Sequence, residues 1–168
     1  MKTSRCRVWS PLGDLLAYER RGLVVALTWA DRIEQTEAHL NRHLPDWTGS
    51  TPASSTTCGE ALAAYFEGDM NALSTVAVDP PGTAFQQRVW AALQTIPAGI
   101  AWSYKELAEA IGRPTAQRAV AAANGRNPIP IIIPCHRVIA ASGHLGGFSA
   151  GLQRKRHLLD HEGIRFRD

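Results

Sequence analysis

The segment Pro134-Cys135-His136-Arg137-Val138 holds the residues of this sequence best suited to chemistry. A cysteine acts as a nucleophile when a nearby histidine, cation or helix N-terminus lowers the pKa of its thiol. The prolines of residues 127–134 predict a stiff, extended and buried approach to Cys135. Because Cys-His adjacency is common, catalysis, zinc ligation and simple packing all stay open at this point. Zinc is disfavoured, since no second cysteine lies within ligand spacing of Cys135.

The turn-forming stretch Asp79-Pro80-Pro81-Gly82 divides the predicted helices and strands into two groups, one before it and one after it. Short apolar runs separated by turn residues predict the strands of a small antiparallel sheet, at Val8-Trp9, 15–18 and 23–29. Helical spacing of apolar residues predicts helices over 31–44 and 58–67, with a loop between them and a return as a strand over 71–78. We therefore predict an α/β N-terminal domain over residues 1–78 and a linker over 79–82.

Residues 83–168 are predicted to form a mainly α-helical C-terminal domain. Thr83 can cap a first helix, and Ser103 with Glu106 forms a capping box for a second. A third helix is predicted from Pro114 or Thr115 to Gly125. The short connection between the second and third helices is typical of a helix-turn-helix, although many helical domains that never bind nucleic acid share this pattern.

Charge is distributed unevenly along the chain. Residues 1–82 hold seven basic and ten acidic side chains, a balance of −3, whereas residues 83–168 hold eleven and five, a balance of +6. The second half is therefore the candidate surface for a polyanion, with a merely solvated basic face as the alternative. The third helix carries five alanines and one arginine, Arg118. Small side chains would let its backbone approach a narrow groove, or they reflect only the high helix propensity of alanine.

Composition excludes several classes of protein. The chain has 168 residues, of which 45% are hydrophobic and 20% charged, and this excludes disorder. Three scattered cysteines are too few for a disulfide scaffold, and no run approaches the ~20 apolar residues of a membrane span. Residues 10–14 interrupt any signal-peptide hydrophobic region. We expect a soluble, cytoplasmic protein.

The sequence resembles the O6-alkylguanine-DNA alkyltransferases, also called methylated-DNA–protein-cysteine methyltransferases. Their active-site signature is Pro-Cys-His-Arg-Val, here Pro134 to Val138. The resemblance covers nearly the whole chain through further matching motifs: Ser10-Pro11-Leu12-Gly13, Ala64-Tyr65-Phe66-Glu67-Gly68, Thr83-Ala84-Phe85-Gln86-Gln87-Arg88-Val89-Trp90, Ile96-Pro97, Ser103-Tyr104, Arg118-Ala119-Val120, Ala123-Asn124-Gly125, Asn127-Pro128 and His161-Glu162-Gly163.

The resemblance implies single-turnover DNA repair by alkyl transfer, on an α/β domain followed by a helical domain with the helix-turn-helix. Cys135 would be the nucleophile and alkyl acceptor, with His136 acting through a water as its base and Glu162 orienting the histidine. This order resembles a Ser-His-Asp chain with sulfur in the first role. Asn127 would brace the active-site turn. Tyr104 would donate a hydrogen bond toward the guanine leaving group and crowd the DNA backbone.

Double-stranded DNA, bound through its minor groove, is the implied partner. Arg118 would enter the base stack and replace the extruded nucleotide. The other residues expected to face DNA are Thr115, Ala119, Ala122 and Arg126. The substrate pocket is expected to include Phe148, Ser149, Val138 and Pro130. We predict no cofactor, no metal and no membrane, and a monomer that could bind DNA cooperatively.

The sequence departs from the family pattern in the stretch Gly146-Gly147-Phe148-Ser149-Ala150-Gly151. Where many members have tyrosine, this chain has Phe148, so a phenol hydroxyl is missing and one substrate hydrogen bond, worth about 0.5–1.5 kcal/mol, is in doubt. Ala150 replaces a frequent glycine and would stiffen the loop. Neither change removes the chemistry.

Three rival functions differ in what they predict. A lesion binder that transfers nothing belongs to relatives whose cysteine is replaced, usually by tryptophan, whereas Cys135 is present here. A DNA-binding regulator would need base-reading side chains that the alanine-rich third helix lacks. A cysteine hydrolase would turn over repeatedly.

Overall fold

A four-stranded sheet forms the centre of the N-terminal unit, residues 1–82, in the computed structural model, which describes residues 2–168. The order of its strands is β3-β2-β1-β4. Strand β2 is antiparallel to both of its neighbours, β1 and β3, and β4 is parallel to β1. The elements of this unit are β1 (Thr3–Val8), β2 (Leu15–Arg20), β3 (Leu23–Trp29), α1 (Ile33–His43), β4 (Ser50–Pro52) and α2 (Thr57–Phe66). The α/β fold with a small antiparallel sheet is confirmed, and β4 is an addition inside the predicted loop.

The hairpin between β2 and β3 turns on two residues that both have positive φ, Arg21 at 53° and Gly22 at 78°. Two such residues match the twist of the flanking strands, as in type I′ hairpins. Helix α1 covers one face of the sheet, where Leu40 packs with Tyr18 and Val25 in a buried cluster. This burial explains why α1 forms despite its polar remainder.

The predicted strand over residues 71–78 is wrong. The structure has a 3-10 helix over Ala72–Thr75, followed by a single bridge between Val24 and Val78. The hydroxyls of Ser74 and Thr75 donate back to carbonyl oxygens three residues earlier, at 2.7 and 2.9 Å. Such local bonds offer the backbone an alternative to a sheet ladder.

The C-terminal unit, residues 83–168, is mainly helical, as predicted. Its elements are α3 (Ala84–Leu93), β5 (Trp102–Ser103), α4 (Tyr104–Ala110), α5 (Gln117–Gly125), β6 (Val138–Ile139) and α6 (Leu152–His161). Both predicted caps are confirmed: Thr83 with Gln86 and Ser103 with Glu106 form reciprocal capping boxes. No helix among residues 2–168 is long and apolar enough to cross a membrane.

The helix-turn-helix consists of α4 and α5. Helix α5 begins at Gln117, later than the predicted start at Pro114 or Thr115. The residues before it form a turn, in which the Ala116 N–H donates to the Arg113 carbonyl oxygen at 2.9 Å. The indole N–H of Trp90 donates to the Ala123 carbonyl oxygen at 2.9 Å, which fixes α5 against α3.

Candidate active site

The approach to the nucleophile is a compact turn, so the predicted extended conformation of residues 127–134 is wrong. The Ile132 and Ile133 N–H groups donate to the carbonyl oxygens of Pro130 and Ile129, both at 2.9 Å. Ile131 has a φ of 73°, in the left-handed region. Proline fixes its own φ and disfavours helix before it, but neither effect excludes a turn. The predicted burial of the isoleucines is confirmed.

Asn127 closes this turn with its side chain. Its amide nitrogen donates to the Ile133 carbonyl oxygen at 2.7 Å, and its amide oxygen accepts from the Ile129 N–H at 2.9 Å. One side chain thus satisfies the Ile129 N–H and gives a second donor to the Ile133 carbonyl oxygen, which also accepts from the Cys135 N–H at 2.8 Å. It fixes the chain two residues before Cys135.

Cys135 opens a 3-10 turn, Cys135–Arg137, and is 4% exposed. Burial raises the pKa of its thiol above the ordinary value. Hydrogen bonds from the Asn127 side chain and from the backbone N–H groups of Cys135 and His136, together with the positive charge of Lys155, oppose that rise in part. The thiol therefore rests protonated, although these groups would stabilise its thiolate.

His136 and Glu162 form a buried pair. The His136 Nε2 lies 2.9 Å from the Glu162 Oε1, and both side chains are inaccessible to solvent. Arg137 donates to the same carboxylate through Nε at 2.8 Å and Nη2 at 2.9 Å, and through Nη1 to the Ile96 carbonyl oxygen. Burial raises the pKa of Glu162, but the hydrogen bonds from His136 and Arg137 and the charge of Arg137 outweigh it and hold that pKa well below its usual range.

This geometry assigns the tautomer of His136. An ionised carboxylate only accepts hydrogen bonds, so Nε2 carries the proton and Nδ1 keeps its lone pair. Burial lowers the pKa of His136, and Glu162 opposes this in part, so the ring rests neutral. Nδ1 is buried and has no hydrogen-bond partner among residues 2–168. It is the basic atom of the site.

A cavity of about 550 Å³, within the ~300–1,000 Å³ range of small-molecule pockets, is lined by residues of α4, of α5 and of the loop 147–149, and Cys135 is not among its lining residues. Its lining includes Tyr104, Phe148 and Ser149, which the sequence predicts near the substrate. The lining also includes Asn124, whose amide nitrogen donates to the Cys135 carbonyl oxygen at 3.4 Å. Val138 and Pro130 are not among the lining residues of this cavity.

One wall of the cavity is the pocket loop, Gly146-Gly147-Phe148-Ser149. The Gly147 N–H donates to the Tyr104 hydroxyl, and burial raises the pKa of that phenol. Gly146 has a φ of 70°, and a Cβ there would lie 2.7 Å from the Tyr104 Oη. Tyr104 therefore packs directly on the Gly146 backbone, where any larger residue would clash with its hydroxyl. Because its pKa is raised, the phenol stays protonated at neutral pH.

Of the six residues predicted to face DNA, five are exposed to solvent and Tyr104 is half-buried. Helix α5 buries Val120 and Ala123 and leaves its other face open. The five predicted positions on or beside that open face are Thr115, Arg118, Ala119, Ala122 and Arg126.

Sequence reasoning missed the roles of Arg137, Asn124 and Lys155. Arg137 is part of the Pro134–Val138 signature. An arginine that is buried with this signature needs a carboxylate partner, and that requirement is the signal. Lys155 is fully buried on α6, on the same face as Leu158 and Leu159. A lysine at this spacing from two leucines lies on an apolar face, and that pattern could have revealed it. Among residues 2–168, no three His, Cys, Asp or Glu side chains are grouped as a metal site requires.

The site combines a buried thiol with a neighbouring histidine that is hydrogen-bonded to a carboxylate, and the same unit contains a helix-turn-helix. This arrangement is expected of a DNA-binding protein that uses a cysteine nucleophile. Residues 84–164 match the family model described as "6-O-methylguanine DNA methyltransferase, DNA binding domain". The chain is 42% identical over 161 residues to the methylated-DNA–protein-cysteine methyltransferase of Salmonella typhimurium, covering 94% of each chain. The chain belongs to the methylated-DNA–protein-cysteine methyltransferase family.

Mycobacterial relatives extend the similarity to solved structures. The Mycobacterium tuberculosis protein of the same name is 47% identical over 153 residues, covering 91% of this chain and 88% of that one. The crystal structure of Mycobacterium tuberculosis OGT in complex with DNA superposes with a TM-score of 0.79 at 41% identity, covering 95% of this chain and 92% of that one. The resemblance stated from the sequence is thus confirmed.

Proposed function

We propose that this protein repairs DNA by direct reversal, transferring the alkyl group of O6-alkylguanine in duplex DNA to Cys135, once per molecule. The relatives are named for this activity, and one solved relative is a complex with DNA. The observation that carries the proposal is the position of Cys135, buried beside a neutral His136 whose proton is held by Glu162.

The reaction proceeds in balanced steps. The thiol proton passes from Sγ through a water to the His136 Nδ1, and the thiolate attacks the alkyl carbon of the extruded base. The bond between that carbon and O6 breaks, and its electrons leave with the guanine, which takes up one proton while His136 releases the proton that it received. Tyr104 stays protonated because burial raises its pKa, so its hydroxyl can donate toward the leaving base. The product is a thioether that no residue of the site can hydrolyse, so each molecule reacts once.

Access to the base requires flipping, because the alkyl carbon lies on a base edge inside the duplex. In this proposal the exposed face of α5 lies against the minor groove, with Ala119 and Ala122 on it, Thr115 and Arg126 beside its two ends, and Arg118 filling the gap in the stack. Unstacking costs a few kcal/mol, and Arg118 offsets part of it. The cavity beside the pocket loop receives the base, with Phe148 and Ser149 on its wall. The C-terminal domain, residues 83–168, thus both binds DNA and reacts, and no cofactor takes part.

The test mixes the protein with excess duplex containing O6-methylguanine and measures the intact mass and the modified peptide. We expect one methyl group per protein, on Cys135, and none in Cys135→Ser, which should still bind DNA. Cys58→Ala removes another buried thiol and is the matched control, with transfer unchanged.

The other functions give different results in the same experiment. Tight binding of the damaged duplex without an adduct indicates a lesion binder. Repeated turnover indicates a hydrolase, and a strong preference for one undamaged sequence at high salt indicates a regulator. A cytoplasmic location, where the three free thiols would stay reduced, is also proposed and is tested by cell fractionation.

A further inference from the structure

Lys155 is unusual among the basic residues of this chain. Eighteen side chains are lysine or arginine, and only three of these are lysines: Lys2, Lys105 and Lys155. Lys155 is 0% exposed, whereas a lysine rarely loses all contact with water unless it is paired. A buried ammonium costs several kcal/mol of desolvation unless hydrogen bonds compensate for it. Its partners therefore show what the burial achieves.

The ammonium joins the two segments that flank the reaction. Its Nζ donates to the Val138 carbonyl oxygen at 2.6 Å and to the Gly147 carbonyl oxygen at 3.0 Å. Val138 directly follows the turn that carries Cys135 and His136, and Gly147 belongs to the pocket loop. The Gly147 peptide is thus held on both sides, by Lys155 at its carbonyl and by Tyr104 at its N–H.

The charge of Lys155 also reaches the nucleophile. Burial lowers the pKa of Lys155 to about 8, and the charge of a Cys135 thiolate would raise it. In return, the ammonium lowers the pKa of the Cys135 thiol and of His136. The remaining charged groups of the site, Arg137 and Glu162, neutralise one another through two hydrogen bonds.

We infer that Lys155 is a positioning residue for alkyl transfer, which ties the pocket loop to the strand behind the nucleophile and supplies the positive charge that the Cys135 thiolate faces. This inference rests on the proposed function. Cys135 is neutral as the resting thiol and neutral again as the thioether, so the ammonium faces a negative charge only while the thiolate exists. The hydrogen bonds of Lys155 to Val138 and Gly147 hold the pocket loop in place for that step.

The first test compares Lys155→Met, which keeps the length and loses the charge, with Lys155→Arg, which keeps the charge. Arg156→Met is the matched control, because it removes an exposed charge from the next position of α6. The readout is the rate of Cys135 carbamidomethylation by iodoacetamide against pH, followed by peptide mass and without DNA. We expect the rise of this rate with pH, the alkaline limb of the profile, to move to higher pH by about 1 unit in Lys155→Met. The reaction near neutral pH then becomes roughly tenfold slower. The limb should return toward wild type in Lys155→Arg and stay unchanged in Arg156→Met.

The pH profile of methyl transfer from O6-methylguanine duplex should shift in the same direction. An unshifted limb in a folded Lys155→Met protein overturns the inference. Since the iodoacetamide reaction needs no DNA, it tests Lys155 even if the wild-type protein transfers no alkyl group, an outcome that would count against the proposed function alone.

The second test uses the wild-type protein and so avoids any folding defect of the variants. Isotope-labelled lysine gives three side-chain NMR signals, and the Lys155 signal is assigned as the one that does not vanish in Lys2→Arg and Lys105→Arg. Its titration is compared with the pH dependence of the iodoacetamide rate at Cys135. We expect the Lys155 midpoint near pH 8, and we expect the logarithm of the rate to stop rising with unit slope above that midpoint, because the thiolate then loses the positive charge that it faces. A slope that stays at one through the Lys155 midpoint overturns the inference.

Discussion

Replacing Glu162 by glutamine tests the buried ion pair on which the geometry of the site depends. The carboxylate accepts three hydrogen bonds, one from His136 and two from Arg137, and its side chain is inaccessible to solvent. Glutamine keeps the shape but presents one oxygen and one NH₂ group. Either orientation places that NH₂ against an N–H donor, so at least one hydrogen bond is lost.

The expected cost in the free energy of unfolding follows from the burial of Arg137. Its side chain is only 10% exposed, so the guanidinium would remain in the interior without a counter-charge. Removing one member of a buried pair costs about 3–5 kcal/mol. Because glutamine retains part of the hydrogen bonding, we expect a loss near the lower end, about 3 kcal/mol, which is a large fraction of the ~5–15 kcal/mol of a typical domain.

Urea unfolding near pH 7 measures this loss, with Glu67→Gln as the control at an exposed carboxylate. The pKa of Glu162 lies well below its usual range, so its contribution to stability is complete above the unfolded-state pKa of ~4.3 and disappears only as the pH falls through the lower folded-state value. The difference between wild type and Glu162→Gln should therefore be constant from about pH 5 to 7 and shrink only in stronger acid. A loss below about 1 kcal/mol at pH 7 would refute the argument, because it would mean that the pair is effectively solvated.

Three further predictions concern the surroundings of the site. Gly146→Ala should lower the free energy of unfolding by more than the ~1–2 kcal/mol that an alanine in the left-handed region costs, because the new Cβ meets the Tyr104 hydroxyl. The control is Gly112→Ala, which has a similar φ of 71° and open space around it and should show the backbone cost alone. Thermal unfolding measures both losses, and equal losses would contradict this prediction. Ser103→Ala should cost about 1 kcal/mol in urea unfolding, and no loss would show that the capping box does not stabilise α4. Arg118→Ala should slow single-turnover repair at saturating duplex by roughly tenfold or more and leave single-stranded substrate nearly unaffected, since only the duplex has a stack to refill. An unchanged duplex rate would reduce Arg118 to a phosphate contact.

Elements with local causes could be predicted from the sequence. The capping boxes at Thr83 and Ser103 depend on residues three apart, and the antiparallel strands β2 and β3 depend on apolar runs around a turn. Elements that depend on pairing with residues far away in the sequence were missed. Strand β4 pairs with β1 across more than forty residues, and the two-residue strands β5 and β6 pair only with one another, so neither has a local signal.

The candidate site divides in the same way. Cys135 and His136 are neighbours in the sequence, and their chemistry is legible there. Arg137 reaches Glu162 across 25 residues, and the ammonium of Lys155 reaches Val138 across 17. The turn over residues 127–134 was predicted as extended because proline constrains φ locally, whereas the bond that decides its shape comes from the Asn127 side chain to Ile133. Burial of a polar group is decided by its partner, and the partner is a tertiary property.

The balance of charge in the buried cluster shows what these distant partners achieve together. Arg137 and Glu162 cancel, and His136 and Cys135 rest neutral, so the charge in excess is that of Lys155, which has carbonyl oxygens as its hydrogen-bond partners. A site with one positive charge in excess favours an anion, and the group placed to become one is the Cys135 thiol, whose pKa the Asn127 amide and the neighbouring backbone N–H groups lower. Charges and dipoles fixed before the reaction stabilise a developing anion without reorganising during it. The thiol can thus stay protonated and unreactive while it is buried, and it becomes a nucleophile only when His136 takes its proton.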